Sequence, residues 1–450
     1  MFRDFHVMDF GKKCCLFFPE TFKFYVISRD DGDAIRRYLD EGDSLRGELE
    51  TILIEEEKKV LIGSTPLSME TDSLCLYMAH DCNISCTYCY NDGGRSLNPS
   101  MMMSEEVVEA AFRRFFTTPG KRYAVSFYGG EPLLNFKTIK RAVEVGMELE
   151  RKRGVKIAYS ITTNGTILTG EMAEFIKGCI SNVCVSIDGS KETHDLHRKG
   201  EAGSLYEKAL LHLAALRGGA CRVTLRATVC GDTVGALAET VSHLSALPSD
   251  GYSVSPVNTG SSNQAYISDE GFKEFVDRFV ELTLKHFPDI IEGRGTGFKY
   301  TFNILFNLIN KRRFMKHCDA GKNPAVAADG SLYPCHGLVG IDEFYMGSVK
   351  DGLNERFWKV KETFAGLTVN GIEECRRCWA RYLCGGSCYA HAYFNTKSLY
   401  TPDPRHCMLF KRNAEAVIGE FLRAMNDPDK RGNLYGNIKK ALTGRDGGHE

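Results

Sequence analysis

The sequence predicts an α/β protein built on a partial, open (β/α)6 barrel. A small N-terminal winged-helix-like module and a cysteine-rich C-terminal region flank it. Three observations predict this. From about Leu74 onward, short apolar strands alternate with amphipathic stretches, and repeated βα units imply a parallel sheet with helices outside it. Six such units in about 185 residues are too few for a closed eight-stranded barrel. After about Lys311 the chain is turn-rich and cysteine-rich, a pattern that metal rather than a large apolar core would hold together.

The elements follow in order. Apolar stretches at Phe5–Phe10, Cys14–Phe18 and Phe22–Ser28 read as strands, with turns at Gly11–Lys13 and Pro19–Glu20. A helix is predicted from near Asp33, with Ile35, Tyr38 and Leu39 on one face. A second is predicted from Ser44 through Leu53. The barrel strands are Leu74–Met78, Ala124–Tyr128, Lys156–Thr162, Val183–Ile187, Val223–Val229 and Tyr252–Val257. Helical periodicity separates them at Ser104–Phe116, Phe136–Arg153, Thr169–Ile176, Ser204–Leu216 and Val234–Leu247. Asp269–Phe287 and Ala414–Asn426 read as further helices, and Thr443–Glu450 as a frayed tail. The expected units are 1–72, 73–310, 311–412 and 413–450.

With 450 residues, 43% hydrophobic and 26% charged, the composition is that of a globular chain of two to four domains. A net charge of −1 argues against nucleic acid as a dominant partner. No apolar run approaches a membrane span. The first residues lack the basic, apolar, small-residue order of a signal peptide, so the expected location is cytoplasmic. Seventeen cysteines, an odd and clustered set, argue for metal ligation rather than a disulfide scaffold.

The first cluster is Cys82-Asn83-Ile84-Ser85-Cys86-Thr87-Tyr88-Cys89, directly after the first barrel strand. Three thiolates within eight residues can wrap one face of an iron–sulfur cube and leave its fourth iron open. The alternatives are a zinc site or a chance spacing. This C-x3-C-x2-C segment, with Tyr88 before the last cysteine, resembles the signature of the radical SAM superfamily. The resemblance implies that S-adenosylmethionine (SAM) chelates the open iron. Tyr128-Gly129-Gly130-Glu131-Pro132 resembles the family's Gly-Gly-Glu-Pro element, which makes Glu131 an expected acceptor for the methionine ammonium. Thr162-Thr163-Asn164-Gly165-Thr166 and Val185-Ser186-Ile187-Asp188-Gly189 resemble segments that contact the ribose or the methionine carboxylate, which brings in Asn164 and Ser186. Arg198 is a further candidate for that carboxylate, or else a solvated surface arginine.

The second cluster reads Cys318-x11-Gly330-x4-Cys335, then Cys375-x2-Cys378-x5-Cys384-x3-Cys388, then Cys407. It resembles the seven-cysteine SPASM pattern. That resemblance implies one auxiliary 4Fe–4S cluster on Cys375, Cys378, Cys384 and Cys407, and another on Cys318, Cys335 and Cys388. Three 4Fe–4S clusters in all are then expected. The second auxiliary set is one thiolate short. Some relatives supply that ligand just after the equivalent of Cys318, but Asp319–Pro324 holds no cysteine. The nearer auxiliary cluster therefore has an open iron, or takes a ligand such as His317, Asp319 or His336. The remaining seven cysteines, Cys14, Cys15, Cys75, Cys179, Cys184, Cys221 and Cys230, read as small buried hydrophobes.

The resemblance implies a 5′-deoxyadenosyl radical that abstracts a hydrogen from an unactivated C–H bond. The N-terminal module resembles the precursor-peptide recognition element of ribosomal-peptide maturases, which adds a leader peptide to a sheet edge. The expected activity is formation of a cysteine thioether in a ribosomally made peptide, with a flavodoxin or ferredoxin as reductant. The alternatives are an anaerobic sulfatase-type maturase making formylglycine, a carbon–carbon crosslinking maturase, and a non-catalytic iron–sulfur electron carrier. Sulfatase-type maturases place an Asp where this chain has His336.

Overall fold

The structure is a computed structural model that describes residues 4–45, 47–59, 68–89, 101–200, 203–294 and 299–443. The tail beyond 443 lies outside the described residues, as does stretch 60–67 of the expected first unit. Three strands, β1 (His6–Phe10), β2 (Lys13–Phe18) and β3 (Lys23–Ile27), form an antiparallel sheet in chain order. Alternation along β2 gives its two faces separate partners. Leu16 and Phe18 pack with Ile35 and Leu53 of the module, whereas Cys15 and Phe17 join the core of the cysteine-rich region.

The first helix runs Arg29–Asp40 and starts earlier than predicted, because Ser28 Oγ accepts from the Asp31 amide at 3.1 Å and caps it. Gly32 sits inside this helix because a side chain there would collide with Cys14. The second helix, Glu48–Glu57, starts four residues later than Ser44. It returns Glu56 to the sheet. Burial would raise this carboxyl, but hydrogen bonds from Lys59, Thr21, Lys23 and Tyr25 outweigh it and hold its pKa down to about 2.

The later strands are β4 (Ser73–Ala79), β5 (Ser85–Cys86), β6 (Arg122–Gly129), β7 (Lys156–Thr163), β8 (Asn182–Ser186), β9 (Arg198–Lys199), β10 (Arg222–Val229), β11 (Tyr252–Pro256), β12 (Ala325–Val326) and β13 (Leu332–Tyr333). The six predicted barrel strands are found within two residues of their expected ends. They pair in the order β11-β10-β8-β7-β6-β4, parallel throughout. One face is apolar and buried under the helices, through residues such as Val125, Phe127, Ile161, Val183, Leu225 and Val229. The opposite face carries small hydroxyls, including Ser126 and Ser160, which meet at 3.1 Å.

The sheet is longer than predicted. β12 adds to β4 in parallel and β13 pairs with β12 in antiparallel, so the cysteine-rich region completes an eight-stranded sheet. Asn323 ties that junction. Its Oδ1 accepts from the amides of Asp72 and Ser73, each at 3.1 Å. The same junction recruits a helix that the sequence reading missed, Glu355–Gly366. Its buried Lys361 interrupts the apolar stripe and donates to Thr71 Oγ1 at 2.9 Å.

The expected boundary at 412/413 cuts through a helix. Asp403 caps Pro404–Met425, so Cys407 lies near that helix's start rather than in a loop before it. Two more helices, Lys299–Ile309 and Pro428–Thr443, were not predicted. Among the described residues, no helix is long and apolar enough to cross a membrane.

Candidate active site

The first cysteine segment leaves the carboxyl end of β4, where parallel α/β sheets gather their ligands. Its middle is strapped down. β5 pairs antiparallel with β9, Cys86 opposite Arg198, and the Thr87 amide donates to the His197 carbonyl at 2.9 Å. Thr87 Oγ1 meets His197 Nδ1 at 2.8 Å, and His197 Nε2 meets Asp232 at 2.8 Å. Asn263 Nδ2 donates to the Thr87 carbonyl at 3.1 Å.

The neighbouring strand ends hold the cysteines themselves. Asn164 Nδ2 lies 3.6 Å from Cys82 Sγ and 2.9 Å from Asn83 Oδ1, while Asn164 Oδ1 accepts from the Thr166 amide. Gly129 has φ +134°, and a Cβ there would stand 2.5 Å from the Ala79 carbonyl oxygen. The Gly130 amide donates to that same oxygen. Glycine is thus required so that β6 can close on the start of the cysteine loop. Pro132 begins the short turn after it, and it is buried.

Two of the expected site residues are buried here. Glu131 does not face an open space: it is 0% exposed, and its oxygens accept from Thr163 Oγ1 at 2.8 Å, the Asn164 amide at 2.7 Å and the Leu133 amide at 3.1 Å. Burial lifts its pKa to about 7 against those bonds. Its side chain joins the ends of β6 and β7. Arg198 is not a surface residue, being 7% exposed. Its guanidinium forks onto Asp188, Nε to Oδ2 at 2.7 Å and Nη2 to Oδ1 at 3.1 Å, with Nη1 3.9 Å from Cys86 Sγ. Tyr88 Oη donates to Asp188 Oδ2, and the guanidinium lies over its ring at 5.6 Å. Burial would raise the Asp188 pKa, but the charge and hydrogen bonds of Arg198 bring it below the usual range. His197, Asp232 and Asn263 act by position alone, and no spacing in the sequence marks them; Asp188 lies in the segment singled out for Ser186, with no role assigned to it there. Ser186 ends β8 on the hydroxyl-lined face, in register with Arg226.

The C-terminal cysteines fall into two groups. Cys375, Cys378, Cys384 and Cys407 line one cavity with Val369 and Phe410. Each proton held by Cys384 is influenced by Cys407, Cys378 and Cys375. Cys335 is influenced instead by Cys318 and Cys388. Burial pushes the thiols of Cys82 and Cys375 up to about 12, and those of Cys86, Cys318 and Cys407 up to about 11. Thiols so desolvated lose their protons when a metal replaces them. Among the described residues no three His, Cys, Asp or Glu side chains close on a single-ion site. A soft donor set around a cavity fits an iron–sulfur cube. The buried Tyr300 hydroxyl supports that fit: it has no partner among the described residues, and its pKa is raised by burial and by Cys384 and Cys407 beside it. A cluster sulfur would accept its hydrogen bond.

Of the other seven cysteines, Cys14, Cys15, Cys221 and Cys230 are buried and Cys75, Cys179 and Cys184 are partly exposed. His336 is exposed yet desolvated, with a pKa pushed down to about 4 by burial, Arg226 and His391, and its ring lies 4.6 Å from that of Tyr128. It therefore stands against Tyr128 on the inner side of β6.

Comparison with known proteins names the class. Residues 76–244 match the radical SAM superfamily. The chain carries a radical SAM domain, and it is an enzyme. A radical SAM domain works with a 4Fe–4S cluster and SAM. The chain is also similar to anaerobic sulfatase maturases. The chain is 24% identical over 359 residues to a cysteine-type anaerobic sulfatase-maturating enzyme of Clostridium novyi, covering 76% of this chain and 93% of the relative. It is 22% identical over 405 residues to a radical SAM cyclopropyl synthase of Paramaledivibacter caminithermalis, covering 86% and 82%. Its fold is similar to that of native anSMEcpe with bound AdoMet and Kp18Cys peptide, with TM-score 0.66, 21% identity, and coverage of 79% of this chain and 99% of that one.

Proposed function

We propose that this enzyme forms a thioether between a cysteine sulfur and a carbon of a ribosomally made precursor peptide. The observation that carries the reading is the trio Cys318, Cys335 and Cys388, in which Cys318 and Cys388 both bear on the Cys335 thiol, with no cysteine in the loop after Cys318, whose Asn323 is spent on the β4 junction. In this reading Cys82, Cys86 and Cys89 hold the SAM-binding cluster. Cys375, Cys378, Cys384 and Cys407 hold one auxiliary cluster, and the trio holds a second with a free iron position. When bound, SAM and its cluster supply a hydrogen-abstracting 5′-deoxyadenosyl radical, and the incompletely ligated cluster supplies a place for a thiolate and an acceptor for one electron.

The chain's own residues do the positioning. Asn164 and Arg198 orient Cys82 and Cys86, and the Gly129–Gly130 backbone and Ser186 line the place for SAM. The S–C bond forms as one C–H hydrogen, one thiol proton and one electron leave. Residues 1–72 are proposed to recognise the leader, 73–310 to form the barrel, 311–412 to carry the auxiliary clusters, and the last segment to close the molecule. A flavodoxin or ferredoxin is the proposed reductant.

The second reading, formylglycine formation in a sulfatase, is favoured by the sulfatase-maturase relatives. His336, in place of an Asp, counts against it. Mössbauer spectroscopy of reconstituted protein separates the two. A second unique iron site that shifts when a cysteine-containing precursor peptide is added supports thioether chemistry. Auxiliary irons indifferent to the peptide thiol contradict it.

A further inference from the structure

Arg226 is a guanidinium on the inner face of the barrel sheet with no anionic partner among the described residues. It lies in β10, whose alternate residues Val223, Leu225, Ala227 and Val229 are buried in the core under the helices, so Arg226 points the other way. Its parallel register partners are Ser186 on β8 and Ser253 on β11, which are hydroxyls and not carboxylates. Unlike Arg198, which is consumed by Asp188, Arg226 makes no ion pair among the described residues, and it is exposed. The groups that feel its charge are His336, His391 and Cys388. His336 in turn stands over Tyr128 on β6. Arg226 thus lies between the Ser186 side of the barrel and the Cys388 side of the cysteine-rich region.

A planar fork of donors beside Ser186 and Ser253, on a hydroxyl-lined sheet face, suits a carboxylate, which it binds in bidentate fashion. We infer that Arg226 is the carboxylate-binding residue of the barrel interior and holds an acidic group of the bound reactants beside Ser186. Resting on the peptide reading above, that group is the side chain of an Asp or Glu next to the carbon that reacts. SAM carries a carboxylate too, and the test separates the two sources.

The experiment uses cluster-loaded full-length protein, kept anaerobic, and measures two affinities for wild type, Arg226→Gln and Arg226→Lys. One is for SAM. The other is for two synthetic, acetylated and amidated cysteine-containing hexapeptides that differ only by Asp against Asn. Iron content and circular dichroism confirm that each variant is folded. The expected result is about a tenfold preference of wild type for the Asp peptide, lost in Arg226→Gln and partly kept in Arg226→Lys, with SAM affinity unchanged. A tenfold loss for SAM, with the peptides unaffected, keeps the carboxylate site but assigns it to SAM. No dependence on residue 226 in either arm overturns the inference. Wild-type protein that binds neither peptide overturns the assignment of Arg226 to a peptide carboxylate, and the SAM arm alone then decides whether residue 226 binds one.

Discussion

Replacing Asp188 with Asn should loosen the whole support of the first cysteine segment. Asp188 is 2% exposed and accepts four hydrogen bonds: two from Arg198, one from Tyr88 Oη and one from the Thr228 amide at 2.9 Å. The substitution keeps the shape but removes the charge opposite a buried guanidinium. Breaking one side of a buried pair costs about 3–5 kcal/mol, because the surviving charge is left uncompensated. The local assay is hydrogen exchange at the Thr228 amide and along β10, which reports opening of this region without assuming that a multidomain chain unfolds in one step. Exchange should speed up by roughly a hundredfold or more, at 1.4 kcal/mol per factor of ten. The double variant Asp188→Leu with Arg198→Met removes both charges and should recover much of the loss. A change below about 1 kcal/mol in Asp188→Asn, or a double variant whose cost is the plain sum of the singles, would refute the reasoning.

Other predictions test other joints. Gly129→Ala should prevent loading of the first cluster while leaving auxiliary iron in place, because its Cβ meets the Ala79 carbonyl and its φ of +134° is unfavourable to any side chain; iron per chain measures it. Arg381→Met should release the N-terminal module, since that buried arginine pairs with Asp4 and Glu20, and faster proteolysis within residues 4–59 is the expected readout. Glu56, held at about 2 against a usual 4.5, stabilises the module fully above pH 4.5. That contribution, roughly 3 kcal/mol, fades as pH falls toward 2. Glu56→Gln should flatten this acid dependence in a circular-dichroism titration, and an unchanged profile would remove Glu56 as its source.

The sequence disclosed what local chemistry repeats. The barrel strands were legible because Val, Ile and Phe alternate with hydroxyls on β6, β7 and β10, and the cysteines because thiol spacing is itself a ligand pattern. Two-residue strands have no period, so β12 and β13 were invisible until β12 was seen to pair with β4 and β13 with β12. Helix Glu355–Gly366 was hidden by Lys361, which is buried only because Thr71 and the Lys322 carbonyl accept its protons. Glu131 was found by motif, but its hydrogen bonds to Thr163 and Asn164 were not legible, since those partners come from the next strand. Asp188 stood inside a noticed segment, yet its importance depends on Arg198 and Thr228 folding back onto it.

The most direct test of thioether formation is the mass spectrum of a leader-bearing, cysteine-containing precursor peptide after anaerobic reaction with SAM and reductant. The predicted product has lost two hydrogens per crosslink, and the cysteine involved no longer reacts with iodoacetamide. A product that instead gains an aldehyde reactive toward hydrazine, or one that loses hydrogens while every thiol still alkylates, would contradict it.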